Sequence, residues 1–512
     1  MGEYITLIEI GHKQKYIFSS NRLSENIGAS IIIKNATEKD AKNFYEKYRP
    51  DVIYEGGGNA LYVFRSKDDG VAFARAYSRF LLKEYPGLTL YLVGHELGKE
   101  ETVKSGLDVC YKLLAEKKNG QQNSAKIFDF GNAVRCSSTN LPAAPLPSDI
   151  FLPKDRQGKP ISAESAVKYK CAFEQKQVFS DLLPEGYRFP MELDDLGRSK
   201  GEKSYVAVVH IDGNRMGIKI AKFNHDTKQE KGEQLMAFNK RYVGALGGLS
   251  RDIRERYKES FMEMTAVIAN NYKAIAEKLN LKEENGKKFL PIRPLILAGD
   301  DITFVADGRI GIECARVFLE KLRKKTVQEL PMNACAGISI VKSHFPFSRA
   351  YTLAEDLCQN AKNSIPESED ASYLDWHLEE GELQDDLKDI RTQYVADDGS
   401  ILTMKPYRVT DDYSEDSYLH FIDAMHIVTN RSGKNSKEAR SKIKGLRDVA
   451  HKGEEATKYY MTVNHVSEDL SRTNWKRGNS AFTDSGEKHY HLFYDAMEMM
   501  DTFIELEGSK ND

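Results

Sequence analysis

Across 512 residues the chain has only 6 cysteines and 2 tryptophans. The cysteines, Cys110, Cys136, Cys171, Cys314, Cys335 and Cys358, contain no CxxC pair. That spacing argues against a disulfide scaffold or a zinc ribbon and predicts reduced, partly buried thiols. No apolar run approaches the roughly 20 residues of a membrane span, and the amino-terminal segment lacks a signal-peptide pattern. Charge of one sign is also missing: 74 Lys and Arg oppose 77 Asp and Glu, for a net charge of −3. A globally basic nucleic-acid binder is thereby excluded, while local basic faces stay possible. A cytoplasmic chain of about three or four domains is expected.

The most informative segment is LILAGDDITFV, Leu295 to Val305. Apolar and β-branched residues flank a Gly-Asp-Asp turn, which predicts a buried hairpin with Gly299 supplying the backbone freedom of its tip. Asp300 and Asp301 at such a tip are costly without a cation, and paired carboxylates beside a sheet hold Mg²⁺ or Mn²⁺ in phosphoryl and nucleotidyl transfer. An ordinary polar turn would use the same residues. A second segment, SYVAVVHIDGNRMGIKI, places Asp212 at a strand end, followed by Gly213 and Asn214 and then by Met216 and Gly217 opening a helix. The free N–H groups beyond the strand could cradle phosphate oxygens. Asp212 on a strand next to the Asp300–Asp301 hairpin would complete a three-carboxylate metal site.

The chain also repeats itself. YEGGGNALYVF laid on the acidic hairpin puts Asn59 on Asp300 and Ala60 on Asp301, and Gly11 then falls where the later copy has Asp212. Each copy continues with a helix-like segment, AFARAYSRFLLKEY or GIECARVFLEKLRKK, and then a strand. A duplicated β-α-β-β-α-β unit with one acidic and one glycine-rich copy suggests a division of labour. The later copy would hold metal, and the backbone of Gly56, Gly57 and Gly58 would hold a nucleotide against it.

The duplicated unit, the AGDD hairpin, the DGNRMG turn, the run ACAGISIVKSHFPFSRAYTLAEDLCQNAKNS with SYLDWH, the opening KQKYIFSSNRLSENIGAS and the GGGN loop together resemble the large palm-domain subunit of type III CRISPR effector complexes. That family makes cyclic oligoadenylates from ATP. The resemblance implies an α+β fold: two ferredoxin-like palm domains facing each other, a helical insert, and a C-terminal helical domain. It implies that Asp212 and Asp300 bind metal with Asp301 beside them, that Lys362 touches triphosphate oxygens, and that Gly57, Gly58 and Asn59 form the acceptor-side nucleotide loop. Mg²⁺ or Mn²⁺, ATP as substrate, and RNA or subunits of an RNA-guided complex as partners follow from it. Three departures stand out: Ala298 replaces the first glycine of the family hairpin, the zinc pattern is missing, and the chain opens on the first palm strand with no nuclease domain before it.

The expected domains are 1–100 (first palm), 101–202 (helical insert), 203–378 (second palm with the metal and ATP site) and 379–512 (C-terminal helices). The basic run from Lys434 to Lys444 reads as a solvated face before it reads as an RNA contact. His451, His465, His489 and His491 lack a metal-ligand spacing. Other readings of the whole chain are a catalytically silent nucleotide-binding scaffold, or a cyclic dinucleotide synthase with the chemistry of GGDEF enzymes.

Overall fold

The protein is described here from a computed structural model covering residues 3–120, 131–145, 152, 156–196, 204–380, 386–431, 437–466, 481–485 and 488–506. Two sheets repeat one strand order. The first contains β1 (Tyr4–Gly11), β2 (Asp51–Gly56), β3 (Asn59–Phe64) and β4 (Thr89–Glu96), arranged β2-β3-β1-β4 and antiparallel throughout. Helix α1 (Leu23–Asn35) follows β1, and α2 (Lys67–Glu84) connects β3 to β4. The Ser66 hydroxyl caps α2 by accepting the Asp69 N–H, and the Phe73, Tyr77 and Leu81 stripe buries its inner face. Helix α3 (Val103–Gly120), which the sequence places in the insert, packs Val103, Leu107, Cys110 and Leu114 into the same core as Ile5 and Leu7 of β1. Helix α4 (Ala163–Glu174) lies against α1; a Cβ on Gly28 would stand 1.8 Å from the Lys168 carbonyl oxygen.

The second sheet uses β5 (Tyr205–Gly213), β6 (Ile292–Ala298), β7 (Asp301–Asp307) and β8 (Ala334–Lys342) in the matching order β6-β7-β5-β8. It then extends through β9 (Tyr373–Leu378), parallel to β8, and the short β10 (Tyr407–Arg408). The segment containing β10, expected among C-terminal helices, therefore joins this sheet. Strand β5 is nearly continuous in apolar residues because helices cover both its faces: Ala207, Val209 and Ile211 belong to one core, and Val206 and Val208 to another. Between β5 and β6 run α5 (Met216–Asp226) and the 36-residue α6 (Leu235–Asn270); α7 (Gly311–Leu322) follows β7, and α8 (Phe347–Asn363) follows β8. Gly337 sets the height of α8. A Cβ there would stand 1.9 Å from the Ala354 carbonyl oxygen, so only glycine lets the helix ride directly on β8.

The C-terminal region contains helices Tyr418–Arg431, Lys437–Ala450 and Glu454–Val463 and a hairpin of Phe482–Ser485 with Lys488–His491. His489 lies on that hairpin with its ring bonded to Asp484, and Lys434 lies outside the described residues. All six cysteines are free, and all are buried rather than the partly buried thiols expected from their spacing. Among the described residues no helix is long and apolar enough to cross a membrane.

Candidate functional site

The acidic hairpin is closed by a two-residue turn, Gly299-Asp300, between paired Ala298 and Asp301. Gly299 has φ of 76°, the left-handed position a tight hairpin of this kind requires at its first turn residue. Ala298 has an ordinary strand backbone, so its replacement of a glycine carries no conformational cost. Asp301, the first residue of β7, stands directly opposite Asp212 on β5, and the Asp300 Cβ lies beside Gly213, the last residue of that strand. The structure thus brings the three carboxylates named from sequence to one sheet end.

Burial, reinforced by Asp212 and then Asp301, pushes the Asp300 carboxyl up to about 6. Burial likewise pushes Asp301 up to about 6, with Lys13 the strongest opposing charge. Asp301 Oδ1 has no hydrogen-bond partner. His210 Nδ1 is 3.7 Å from that oxygen but also lies 3.3 Å from Thr303 Oγ1. Burial holds the His210 ring below its ordinary value, so it is neutral at pH 7 and does not compensate the carboxylates. Lys362, in the last turn of α8, donates to Asp212 Oδ2 at 2.5 Å and to the Gly213 carbonyl at 3.0 Å.

Among the described residues no three Asp, Glu, His or Cys side chains converge at metal-ligand spacing. The donor set nevertheless fits a hard divalent cation: three carboxylates, two of them raised chiefly by burial, and one oxygen with nothing to bond. Asp212, Asp300 and Asp301 are the residues that would hold it.

The glycine hairpin of the first sheet corrects the repeat alignment. It too has a two-residue turn, Gly57-Gly58, between paired Gly56 and Asn59. Asn59 therefore matches Asp301, and Gly58 matches Asp300, one position away from the sequence alignment. Across the ladder Asn59 faces Glu9, as Asp301 faces Asp212. The counterpart of Asp212 is Glu9 rather than Gly11. Apolar alternation repeats every two residues, which is how the Gly11 slip of two positions arises.

Parts of the expected backbone cradle are already engaged. The Gly58 N–H donates to Thr37 Oγ1 at 3.3 Å, and the Gly57 carbonyl accepts from Lys13 Nζ at 2.9 Å. The Asn214 N–H donates to the Asn333 carbonyl at 2.9 Å, which removes it from any phosphate. Met216 and Gly217 form the first turn of α5, where N–H groups lack helical acceptors. What Gly57 provides is closeness: a Cβ on it would stand 2.5 Å from the Ala298 Cβ, so the two hairpin tips touch. Beside this contact a cavity of about 250 Å³ is lined by Lys13, Gly57, Arg254, Tyr257, Gly299 and Asp301. Lys13, Arg254 and Tyr257 were not singled out as site residues from sequence. They reach the site from segments far from either hairpin, and only the KQKYIF motif hinted at the first of them.

No family model matches this chain, and no curated protein does. Solved structures do. A Csm1-Csm4 cassette in complex with one ATP aligns with TM-score 0.56 at 12% identity, covering 98% of this chain and 69% of the matched one. The Csm1-Csm4 subcomplex of the type III-A CRISPR-Csm interference complex aligns with TM-score 0.55 at 12% identity, covering 98% and 70%. A Csm1-Csm4 cassette in complex with cA4 aligns with TM-score 0.53 at 11% identity, covering 92% and 65%. The chain spans about two thirds of the length of these chains, and what it shares with them is the fold. The resemblance read from its motifs is met by these structural neighbours at the level of the fold.

Proposed function

We propose that this chain is a nucleotidyltransferase that joins ATP into cyclic oligoadenylate-type second messengers, acting as the palm subunit of an RNA-guided, type III-like antiviral complex in the cytoplasm. The observation that carries this reading is the convergence of Asp212, Asp300 and Asp301 at one sheet end, with an unpartnered carboxylate oxygen among them. The fold neighbours solved with ATP and cA4 support the same chemistry. In this reading the repeats are two ferredoxin-like palm domains, 1–100 and 203–378, with α3 attached to the first, 101–202 as the insert, and 379–512 as the C-terminal domain.

Two ATP molecules bind between the hairpins. The donor triphosphate lies on the acidic side, where Lys362 exchanges Asp212 for phosphate oxygens. The acceptor lies on the Gly56–Asn59 side and presents its 3′- or 2′-hydroxyl to the donor α-phosphorus. A new P–O bond forms as the α–β bridging P–O bond breaks, pyrophosphate leaves, and the hydroxyl's proton passes to solvent. A divalent cation, when bound, supplies charge neutralisation at the reacting phosphate. The chain's own contribution is positioning: the touching tips of Gly57 and Ala298 fix the distance between donor and acceptor sides.

Purified protein incubated with labelled ATP and Mg²⁺ or Mn²⁺ is expected to release pyrophosphate and form cyclic oligoadenylates, identified by mass. Unreacted ATP under every metal and activator overturns the reading, and a product with the mass of a cyclic dinucleotide replaces it with GGDEF-like chemistry. One observation favours a silent nucleotide-binding scaffold instead: Lys362 already engages one oxygen of Asp212. An Asp300→Asn variant that retains full biological activity would decide for the scaffold. Co-purification with RNA and further subunits tests the complex.

A further inference from the structure

We infer that Tyr257 is a positioning residue for the cation centre, its hydroxyl donating a hydrogen bond to the Asp300 carboxylate when that carboxylate turns to ligate. The inference rests on reading Asp212, Asp300 and Asp301 as the cation ligands.

Tyr257 lies midway along α6, 1% exposed, its ring 6.0 Å from Phe318 in the second core. Its hydroxyl is buried with no hydrogen-bond partner. Leaving such a donor unmade costs about 1–3 kcal/mol, and a phenylalanine would fill the same space without that cost, so packing does not account for the oxygen. The acidic groups acting on it are Asp300 foremost, then Asp212 and Asp370. The hydroxyl and Asp300 meet over Gly213: a Cβ there would stand 2.6 Å from the Tyr257 oxygen and 2.9 Å from the Asp300 Cβ. Any larger residue at 213 would hold them apart. A phenol needs only an acceptor, and rotation of the Asp300 carboxylate about a Cβ that lies this close would provide one. Carboxylates that ligate a cation are oriented by hydrogen bonds of this kind from outside the ligand set.

The test is Mn²⁺ binding without nucleotide, read as free Mn²⁺ by electron paramagnetic resonance, together with thermal unfolding. Tyr257→Phe is expected to unfold, metal-free, at the wild-type temperature or above it, because an unsatisfied oxygen has been removed. Its Mn²⁺ dissociation constant is expected to rise about 10- to 100-fold. Phe318→Leu, which loosens the ring's packing and keeps the hydroxyl, should lower the unfolding temperature and leave Mn²⁺ affinity within about twofold, since no donor is lost. Equal Mn²⁺ affinity in wild type and Tyr257→Phe overturns this inference alone. So does a Phe318→Leu variant that weakens Mn²⁺ as much as Tyr257→Phe does, because the role is then packing. A wild-type protein that binds no Mn²⁺ overturns the cation centre itself, and this inference with it.

Discussion

The two sheets carry the same carboxylate-lysine pair in the same place. In the first, Glu9 on β1 pairs with Lys118 near the end of α3 at 2.7 Å; in the second, Asp212 on β5 pairs with Lys362 near the end of α8 at 2.5 Å. Even the neighbouring strand agrees, since Tyr91 stands opposite Glu9 as Cys335 stands opposite Asp212. A strand carboxylate neutralised by a helix lysine is thus part of the duplicated fold and is not by itself a mark of chemistry. What separates the halves is the hairpin. Asn59 and Gly58 in one become Asp301 and Asp300 in the other, which adds two carboxylates at the sheet end.

The strongest way to break the comparison is to make the acidic half resemble the other. Asp301→Asn is expected to lower nucleotide turnover by about 100-fold or more, as loss of a principal electrostatic group does, while Glu9→Gln stays within about twofold because its carboxylate only closes an ion pair. Initial rates with labelled ATP and Mn²⁺ check both, and equal losses would erase the distinction between the halves. The lysines sharpen it. Lys362→Ala should raise the ATP concentration needed for half-maximal rate by about 10-fold, the worth of one charge-assisted contact to phosphate. Lys118→Ala should change only stability, by about 1 kcal/mol or less for a partly exposed pair, seen in urea unfolding.

Smaller effects are expected where the hairpins meet. Gly57→Ala places a Cβ 2.5 Å from Ala298 at a φ of 60° and should destabilise by about 1–3 kcal/mol through overpacking. Gly299→Ala, with nothing within 4 Å, should lose only about 1 kcal/mol to its left-handed backbone. Chemical denaturation separates them. Finally, the metal-free protein should lose stability as pH rises from about 4 to about 6. Asp300 and Asp301 are raised from 3.8 to about 6 in the fold, so in this window the folded state holds more protons than the unfolded one. Their contribution is fully present below the unfolded value and is lost as pH rises through the folded value. An Asp300→Asn, Asp301→Asn double variant should flatten that slope.

Much of this arrangement was legible in the chain itself. The hairpins announce themselves through glycine-containing turns between apolar runs, and Lys362 falls where the helix ending AEDLCQNAKN has to place it. Register is not legible: the turn sequence sets Asn59 one position from its true partner and the apolar alternation sets Gly11 two positions away, and only the closing hydrogen bonds of the turn fix the count. The membership of α3 in the first core was hidden because it follows β4 directly and looks like the start of the insert. Tyr257 left no trace in sequence, since a tyrosine inside an amphipathic helix reads as core until its oxygen is found beside Asp300.

Helix α6 adds a mechanical consequence. Phe238, Tyr242 and Leu246 near its start are buried with the first sheet, whereas Leu249, Ile253, Tyr257 and Phe261 are buried with the second. A rod of 36 residues, on the order of 54 Å long, is therefore clamped at both ends like a caliper whose jaws carry the two hairpins. Gly247 and Gly248 lie at the changeover between the clamps, so any bending of the rod concentrates there.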